Sequence, residues 1–226
     1  NAVTGSPLVV TLDNGTTITI PVGQTTADSA PVVVRPDDVY AQGNTTVVRS
    51  ITGTSGGTYE ALTTTSTVST NVTEDADATT VTLSSATNGT AITEGGAIVY
   101  TATVNNAVTG TPLVVTLSNG ATITIPVGQT TANSAAIPVR GDDAYAQGTQ
   151  TLAPVTITGT TGGNYEAVNT TGTINNTVVD DADATTVTLT ASAGSVIEGN
   201  TITYTATVSN AVTGSPLVVT LDNGTT

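Results

Sequence analysis

The sequence contains no cysteine, histidine, methionine, tryptophan or phenylalanine. Without cysteine the chain can form neither disulfides nor thiolate metal sites, and without histidine it lacks the commonest zinc ligand and general base. These absences exclude cysteine nucleophiles, Ser-His-Asp triads and the usual transition-metal sites. The apolar core has to be built from valine, isoleucine, leucine and 6 tyrosines, a composition that favours strands over helices.

Positive charge is also nearly absent, since 3 Lys+Arg stand against 17 Asp+Glu and the formal net charge is −14. Such a surface repels phosphate backbones and anionic lipid, so binding to nucleic acid or to a membrane surface is disfavoured. Divalent cations are the natural partners of a chain with this charge. No run of about 18 apolar residues and no basic-plus-apolar leader occurs, so we expect no membrane insertion.

Internal repetition is the strongest pattern in the sequence. The pentapeptide Asn-Ala-Val-Thr-Gly begins at Asn1, Asn106 and Asn210, and residues 1–17 recur letter for letter as 210–226. Near-identity over such a length indicates tandem duplication. We therefore expect the chain to be a window on a longer array.

A second repeated stretch marks where one repeat passes into the next. Asp-Ala-Asp-Ala-Thr-Thr-Val-Thr-Leu begins at Asp75 and again at Asp181, and it joins a short acidic segment to a new strand-like run. We divide the chain accordingly into a first unit (1–77, a partial repeat that lacks its first strands), a middle unit (78–183, a complete repeat) and a third unit (184–226, a partial repeat with the first strands only). The two acidic segments are called the first and second junctions below.

The middle unit has the pattern of a β-sandwich. Asn119-Gly120 separates two strand-like runs and predicts a type I′ hairpin turn, and Asn14-Gly15 and Asn223-Gly224 repeat the signal. No apolar period of 3.6 residues persists, which disfavours helices. Seven short strands with frequent turn signals are typical of an immunoglobulin-like fold, so the sequence predicts an all-β protein of tandem immunoglobulin-like sandwiches of about seven strands, arranged end to end. The predicted runs are 79–85, 97–105, 112–118, 121–126, 134–140, 151–158 and 171–179.

Acidic residues are concentrated at three places in the middle unit. If successive strands run up and down, loops alternate between the two poles of a sandwich, and these three places share the pole that faces the next unit. The carboxylates expected there are Glu94, Asp142, Asp143, Asp180, Asp181 and Asp183. The first unit supplies a matching set, and the third supplies a single member: Asp37, Asp38, Glu74, Asp75 and Asp77, and then Glu198.

Clustered carboxylates predict a calcium site at each junction. Bare like charges at contact distance repel by roughly 1 to 4 kcal/mol per pair near a surface, and a bound cation reverses that sign. Calcium accepts six to eight hard oxygen ligands in flexible geometry, whereas magnesium needs a strict octahedron. The alternative is a solvated acidic surface around a flexible hinge. Position favours calcium, because the acidic residues outside the clusters are few: Asp13, Asp28, Glu60, Glu166 and Asp222.

Other charged residues have simpler interpretations. Glu166 follows Tyr165 near the opposite pole, where it is either a solvated neighbour of a core tyrosine or a further ligand for the preceding junction. Arg35 and Arg140 each precede a pair of aspartates and are expected to form local salt bridges. A glycosidase-like role for paired aspartates is not expected, because adjacent residues rarely face one substrate and the pair recurs from unit to unit. We expect no enzyme activity.

A family resemblance follows from particular runs of the middle unit. These runs are Thr-Val-Thr-Leu, Thr-Glu-Gly-Gly, Val-Tyr-Thr-Ala-Thr-Val, Asp-Asp-Ala-Tyr, Gly-Gly-Asn-Tyr-Glu and Asp-Asp-Ala-Asp-Ala. In them the chain resembles the extender repeats of giant RTX adhesins of Gram-negative biofilm bacteria, and more distantly Calx-beta modules. The resemblance runs along the whole chain.

This resemblance implies a function, a location and a ligand set. It implies a structural spacer that supports cell adhesion and biofilm formation, exported by type I secretion and held at the cell surface in many tandem copies, with linkers stiffened by calcium. An alternative is an adhesive module that binds carbohydrate or protein. The positions that match the family's ligands are Glu94, Asp142, Asp143, Asp180, Asp181 and Asp183, with Asp37, Asp38, Asp75 and Asp77 in the first unit.

The expected partners are neighbouring repeats of the same chain. The first unit lacks strands that the third unit possesses, so residues 184–226 of one molecule could complete residues 18–77 of another. Exposed strand edges make such head-to-tail association plausible.

Overall fold

A computed structural model describes residues 1–226, and every regular element in it is a β-strand. The all-β prediction is confirmed. No helix of a length and hydropathy suited to crossing a bilayer is present. The bounds of the three units stay a prediction, and the strands are described below within those bounds.

The two outer units contain few strands. The first unit forms one four-stranded sheet in the order β2-β1-β3-β4, and the third forms the single pair β18-β19. These strands are β1 (Leu8–Leu12), β2 (Thr17–Ile20), β3 (Thr45–Ser55), β4 (Thr67–Val72), β18 (Val187–Ala191) and β19 (Tyr204–Val208).

The middle unit contains the remaining strands, and each of the seven predicted runs overlaps at least one of them. They are β5 (Ala78–Ser84), β6 (Ala91–Thr93), β7 (Ala97–Ile98), β8 (Thr101–Val104), β9 (Leu113–Leu117), β10 (Thr122–Ile125), β11 (Thr131–Asn133), β12 (Ile137–Pro138), β13 (Gln150–Thr151), β14 (Val155–Thr161), β15 (Ala167–Thr171), β16 (Thr173–Ile174) and β17 (Thr177–Val179).

The core lies between two four-stranded sheets of the middle unit, ordered β10-β9-β14-β16 and β11-β8-β5-β15. Period-two alternation builds it, since Leu113, Val115 and Leu117 of β9 point inward while Thr116 between them is exposed. Both sheets contribute to one cluster of 14 buried residues: Val81, Leu83, Ile98, Tyr100, Ala102, Val104, Val108, Leu113, Val115, Leu117, Ile123, Ile125, Val155 and Ile174.

The hairpin between β9 and β10 differs in detail from its prediction. The hairpin itself is confirmed, with Thr116 opposite Thr122. The predicted type I′ turn is wrong, because that turn needs positive φ at Asn119, and Asn164 is the single non-glycine residue with positive φ. Instead, the Gly120 N–H donates to the Leu117 carbonyl at 2.9 Å, and Gly120 alone takes a left-handed conformation, with φ 83°. A longer loop that ends in a left-handed glycine is the other common hairpin connection.

Three strands fall outside the predicted runs, namely β6, β11 and β15, and two of them pair in parallel. β15 lies parallel to β5, and β17 lies parallel to β6. The residues at the position of β15 in the first unit, 61–65, form no strand. The strand thus depends on a partner far away in sequence, because the first unit contains no counterpart of β5.

Residues in identical stretches of sequence are also buried to different degrees in the three units. The run Pro-Leu-Val-Val-Thr-Leu contains Leu8, Leu113 and Leu217 at equivalent positions. Leu113 is fully buried and Leu8 is 7% exposed, whereas Leu217 is 53% exposed. Burial is therefore decided by the surrounding strands of each unit and not by the local sequence.

This difference predicts unequal costs for the same substitution. Leu113→Ala should lower the free energy of unfolding by about 2 to 5 kcal/mol, because it leaves a cavity in a closed core. Leu217→Ala in dilute solution should change it by no more than about 0.5 kcal/mol, because the side chain is already solvated. Urea unfolding followed by circular dichroism measures both, and equal losses for the two variants would contradict the core assignment.

Candidate metal centres

Parallel strand pairing brings the carboxylates of the second junction together. In the β17–β6 pair Val179 lies opposite Thr93, so the residues that follow both strands leave the sheet at the same end. Glu94 follows β6, while Asp180 and Asp181 follow β17. The Glu94 N–H also donates to the Val179 carbonyl at 2.9 Å, which ties the two exits together.

A third segment completes this group. Carboxylate oxygens of Glu94, Asp142 and Asp181 all lie within 4.8 Å of one another. Gly95 makes the approach possible: its N–H donates to the Arg140 carbonyl at 2.8 Å, and a Cβ on it would meet the Cβ of Asp142 at 2.9 Å. Glu94 is itself 5% exposed, so this group reaches into the folded unit.

The first junction holds a corresponding group. Carboxylate oxygens of Asp37, Asp75 and Asp77 lie within 4.8 Å of one another. Asp37 and Asp75 line a small polar cleft of about 100 Å³. The counterpart of Glu94 would belong to strands that the first unit lacks, and Asp77 takes the third place. The two groups are therefore similar in composition but not identical.

One aspartate of each acidic pair supports its own loop. Asp143 accepts a hydrogen bond from the Tyr145 N–H at 2.8 Å and another from the side chain of Gln147. Asp38 accepts the same two bonds in the first unit, from the Tyr40 N–H at 2.8 Å and from the side chain of Gln42. These turns fix the loops that carry Asp37 and Asp142 to the clusters.

A second pair of acids is held by the arginines. Asp180 accepts hydrogen bonds from the N–H groups of Gln147 and Gly148, at 2.6 and 2.7 Å, and forms a salt bridge with Arg140. Arg140 also pairs with Glu94 at 3.0 Å. Arg140 therefore links Glu94, one member of the acidic group, to the loop that carries Asp142, another member.

The first unit repeats this arrangement with glutamate in place of aspartate. Glu74 pairs with Arg35 at 2.7 Å and accepts hydrogen bonds from the N–H groups of Gln42 and Gly43. Both arginines form salt bridges, as predicted, but the expectation of local partners is wrong, because the partners come from distant segments. Glu74 and Asp180 thus have hydrogen-bonded roles in loop structure that the sequence did not indicate.

The pKa shifts distinguish the acids that hold loops in place, here called supporting acids, from those at or beside the three-carboxylate groups, here called clustered acids. Hydrogen bonds from the Gly148 and Gln147 amides, together with the Arg140 guanidinium, hold the pKa of Asp180 below its ordinary value. The charges of Asp37, Asp75 and Asp38 raise the pKa of Asp77.

The second junction shows the same repulsion. The charges of Asp142, Asp181 and Asp143 raise the pKa of Asp183. Asp183 therefore lies in the field of the cluster although it is not one of the three acids whose oxygens meet. Repulsion of this kind is the condition that a bound cation relieves.

Glu166 is a site residue that sequence reasoning left open. Its carboxylate accepts a hydrogen bond from the Asp77 N–H at 2.7 Å and lines the same cleft as Asp37 and Asp75. It belongs to the middle unit, so it reaches back across the first junction. The Tyr-Glu dipeptide repeated at Tyr59 and Tyr165 was the available signal. Of the other predicted residues, Glu198 is exposed and lies outside both groups.

Comparison with known protein families gives one match. The model of the LapA domain matches residues 1–75, 77–182 and 183–226. No match was found among curated proteins.

The opposite pKa shifts predict opposite effects of neutral substitutions in calcium-free buffer. A carboxyl group with a lowered pKa stabilises the fold above its ordinary value of 3.8, and this contribution is lost as pH falls through the lowered value. Asp180→Asn should therefore lower the melting temperature at neutral pH. A carboxyl group with a raised pKa destabilises the fold above that raised value and costs nothing below 3.8.

Asp183→Asn should accordingly raise the melting temperature at neutral pH, and the gain should vanish as pH falls toward 3.8. Thermal unfolding followed by circular dichroism across this pH range measures both variants. Shifts of the same sign for Asp180→Asn and Asp183→Asn at neutral pH would contradict the division into supporting and clustered acids.

Proposed function

The chain belongs to the LapA domain family, named after a large adhesin involved in biofilm formation, and we propose that it is a spacer segment of such a cell-surface adhesin, stiffened by calcium at its junctions. In this role the units are structural and not catalytic. They hold a distal binding region away from the cell. Export by type I secretion, as in RTX adhesins, is part of the same proposal.

The observation that carries the proposal is the recurrence of a three-carboxylate group at both junctions. Each group draws its acids from segments that are separated in sequence, and in each the oxygens lie within 4.8 Å of one another. A solvated acidic surface gives no reason for this convergence, because like charges in water favour separation.

The residues present fit a calcium ion. Every side-chain donor in the groups is a hard carboxylate oxygen, and calcium binds such oxygens at about 2.3 to 2.6 Å, so oxygens on opposite sides of an ion lie about 5 Å apart. Asp37, Asp75 and Asp77 would hold the ion at the first junction, with Glu166 beside them. Glu94, Asp142 and Asp181 would hold it at the second.

A bound cation would supply positive charge where the acids repel one another. The chain's own residues would then hold the loops in place: Arg140 and Asp180 fix the 142–148 loop, and Arg35 and Glu74 fix its counterpart in the first unit. With both loops fixed and their repulsion neutralised, the acidic segment between units becomes less free to bend. This is the property that a spacer requires.

The proposed partners are other repeats of the same kind. Leu83 in β5 is 3% exposed, whereas Leu189, its equivalent in β18, is 51% exposed. The residues that would pair beside it, equivalent to β15, are unpaired at 61–65 in the first unit. We propose that β18 of one copy pairs with 61–65 of another copy, as β5 pairs with β15 within the middle unit.

The alternative function, binding of a carbohydrate or protein ligand by an adhesive module, has one structural feature in its favour. A cleft of about 500 Å³ opens beside the core of the middle unit. Tyr100, Ile137, Leu152 and Val155 contribute to its largely apolar lining. A direct adhesive role would require a ligand at this cleft or at the loops, and it does not account for the recurring acidic groups.

Calcium binding can be tested on the chain itself. Millimolar calcium should stabilise the fold by roughly 1 to 3 kcal/mol per site, given the affinities of extracellular calcium modules. Asp37→Asn should weaken binding at the first junction by at least about tenfold and leave the second junction unchanged. Calorimetric titration with calcium chloride measures the affinities, and thermal unfolding measures the stabilisation.

Asp28→Asn is the matched control, because it removes the same charge from an exposed residue outside both groups. Absence of a binding signal in the parent chain would refute the calcium proposal. An equal loss of affinity in the Asp28→Asn variant would show that overall charge, and not the site, attracts the ion.

Head-to-tail association is tested separately by sedimentation at increasing protein concentration. Leu189→Lys should abolish concentration-dependent association, because it places a charge on the apolar face of β18. Thr190→Lys adds the same charge on the opposite face of the strand and should have a smaller effect. A chain that stays monomeric at the highest concentration reached would refute this partner.

A further inference from the structure

The first junction contains an aromatic contact that is distinct from its carboxylates. Tyr40 of the first unit stacks on Tyr165 of the middle unit, with ring centroids 5.6 Å apart and planes inclined by 24°. Both hydroxyls are satisfied on the middle unit: Tyr40 donates to the Ala107 carbonyl at 2.8 Å, and Tyr165 donates to the Asn106 carbonyl at 2.7 Å. The pair therefore combines ring stacking with two directed hydrogen bonds.

Backbone hydrogen bonds join the units at the same place. Tyr40 and Tyr165 face each other as an isolated antiparallel bridge. The Ala41 N–H donates to the Asn164 carbonyl at 3.0 Å, and the Glu166 N–H donates to the Val39 carbonyl at 3.1 Å. The side-chain amide of Asn164 adds a bond to the Ala41 carbonyl at 3.3 Å. Two separate folding units are thus linked by a short piece of β-ladder.

The backbone at Asn164 is adapted to this contact. Asn164 has φ 50°, a left-handed conformation that asparagine tolerates better than β-branched residues do. Its equivalent in the first unit is Thr58, which does not take positive φ. The one non-glycine residue with positive φ, Asn164, is thus also the residue that bonds to Ala41 through both its backbone and its side chain.

We propose that Tyr40, Ala41, Asn164 and Tyr165 form a latch that sets the orientation of adjacent units without any cation. The latch surface on the leading unit is the tyrosine of the Asp-Asp-Xaa-Tyr loop, and its partner is the Asn-Tyr-Glu loop between β14 and β15 of the following unit. Carboxylate repulsion and any bound ion act on the same joint through different atoms. The latch therefore stands independently of the calcium proposal.

The second junction shows half of this arrangement. The Tyr145 hydroxyl donates to the Ala211 carbonyl at 3.0 Å, as Tyr40 does to Ala107. Tyr145 is 37% exposed, and residues 184–226 contain no counterpart of Tyr165. In a complete following unit, the latch would place the Asn-Tyr-Glu loop against the exposed ring of Tyr145.

The latch is tested by measuring the joint directly in calcium-free buffer. Because the chain has no native cysteine, spin labels at Thr19→Cys and Thr124→Cys, exposed residues at equivalent places in the first and middle units, report a single distance between them. Tyr40→Leu should broaden this distance distribution, raising the undocked population by about 2- to 10-fold from the loss of the aromatic pair. Pulsed electron spin resonance gives the distribution.

Two substitutions at Asn164 test the backbone part of the latch. Asn164→Thr, which installs the residue found at Thr58, should also broaden the distribution because threonine resists positive φ. Asn164→Gly keeps that conformation accessible but loses the side-chain bond to Ala41, so it should broaden the distribution less than Asn164→Thr does. Circular dichroism melting of each variant establishes that both units remain folded.

Tyr145→Leu is the matched control, since it removes the same side chain from the second junction and should leave the labelled joint unchanged. A distribution for Tyr40→Leu identical to that of the parent would overturn the latch. A distance distribution that is unchanged by added calcium but broadens in Tyr40→Leu would refute the calcium proposal and retain the latch. A distance distribution that narrows with calcium but is unchanged in Tyr40→Leu would refute the latch and retain the calcium proposal.

Discussion

Repulsion among carboxylates at the junctions is the constraint on which the rest of the arrangement depends. The strand topology leaves no freedom in this, because parallel pairing of β6 and β17 makes Glu94 and Asp181 leave the sheet at one end. A fold that only needed solubility would have its acids spread over the surface. Here three of them meet at each junction, and neighbouring positive groups or the proposed cation would offset their repulsion.

The chain meets this constraint by dividing its acids into two classes. Asp180 and Asp143 accept hydrogen bonds within their loop and hold its shape, although the charge of Asp143 still raises the pKa of Asp183. Asp142 and Asp181, in contrast, lie next to the carboxylate of Glu94 and accept no comparable set of hydrogen bonds. With 3 arginines in the sequence, cationic side chains are too few to neutralise both classes. Arg35 and Arg140 pair with Glu74 and Asp180, and Arg140 also pairs with Glu94 of the second group. The proposed calcium ion would offset the repulsion that remains among the clustered acids.

Sequence alone predicted the all-β class, the strand-rich runs and the convergence of distant acids. The first two rest on the period-two pattern of strands, and the third rests on the alternation of loops between the two poles of a sandwich. Sequence could not separate Asp180 from Asp181, since the difference lies in backbone amides that reach one and not the other. It missed β15, whose formation requires β5. The turn at Asn119 was wrong in type because asparagine-glycine fits more than one hairpin geometry. In each case a nonlocal partner, or the length of the loop, decided the outcome.

The two kinds of contact at the first junction differ in range, and this difference shapes how a spacer would respond to its surroundings. Charge interactions act over about 10 Å and weaken as salt or acid increases. Stacking between Tyr40 and Tyr165 acts at contact distance and is insensitive to both. A joint built only from carboxylates would bend whenever cations became scarce, whereas one that also contains the proposed latch would keep its preferred orientation and change mainly in stiffness. In the proposed array every unit would contact only its neighbours, so such properties of one joint would be repeated along the array.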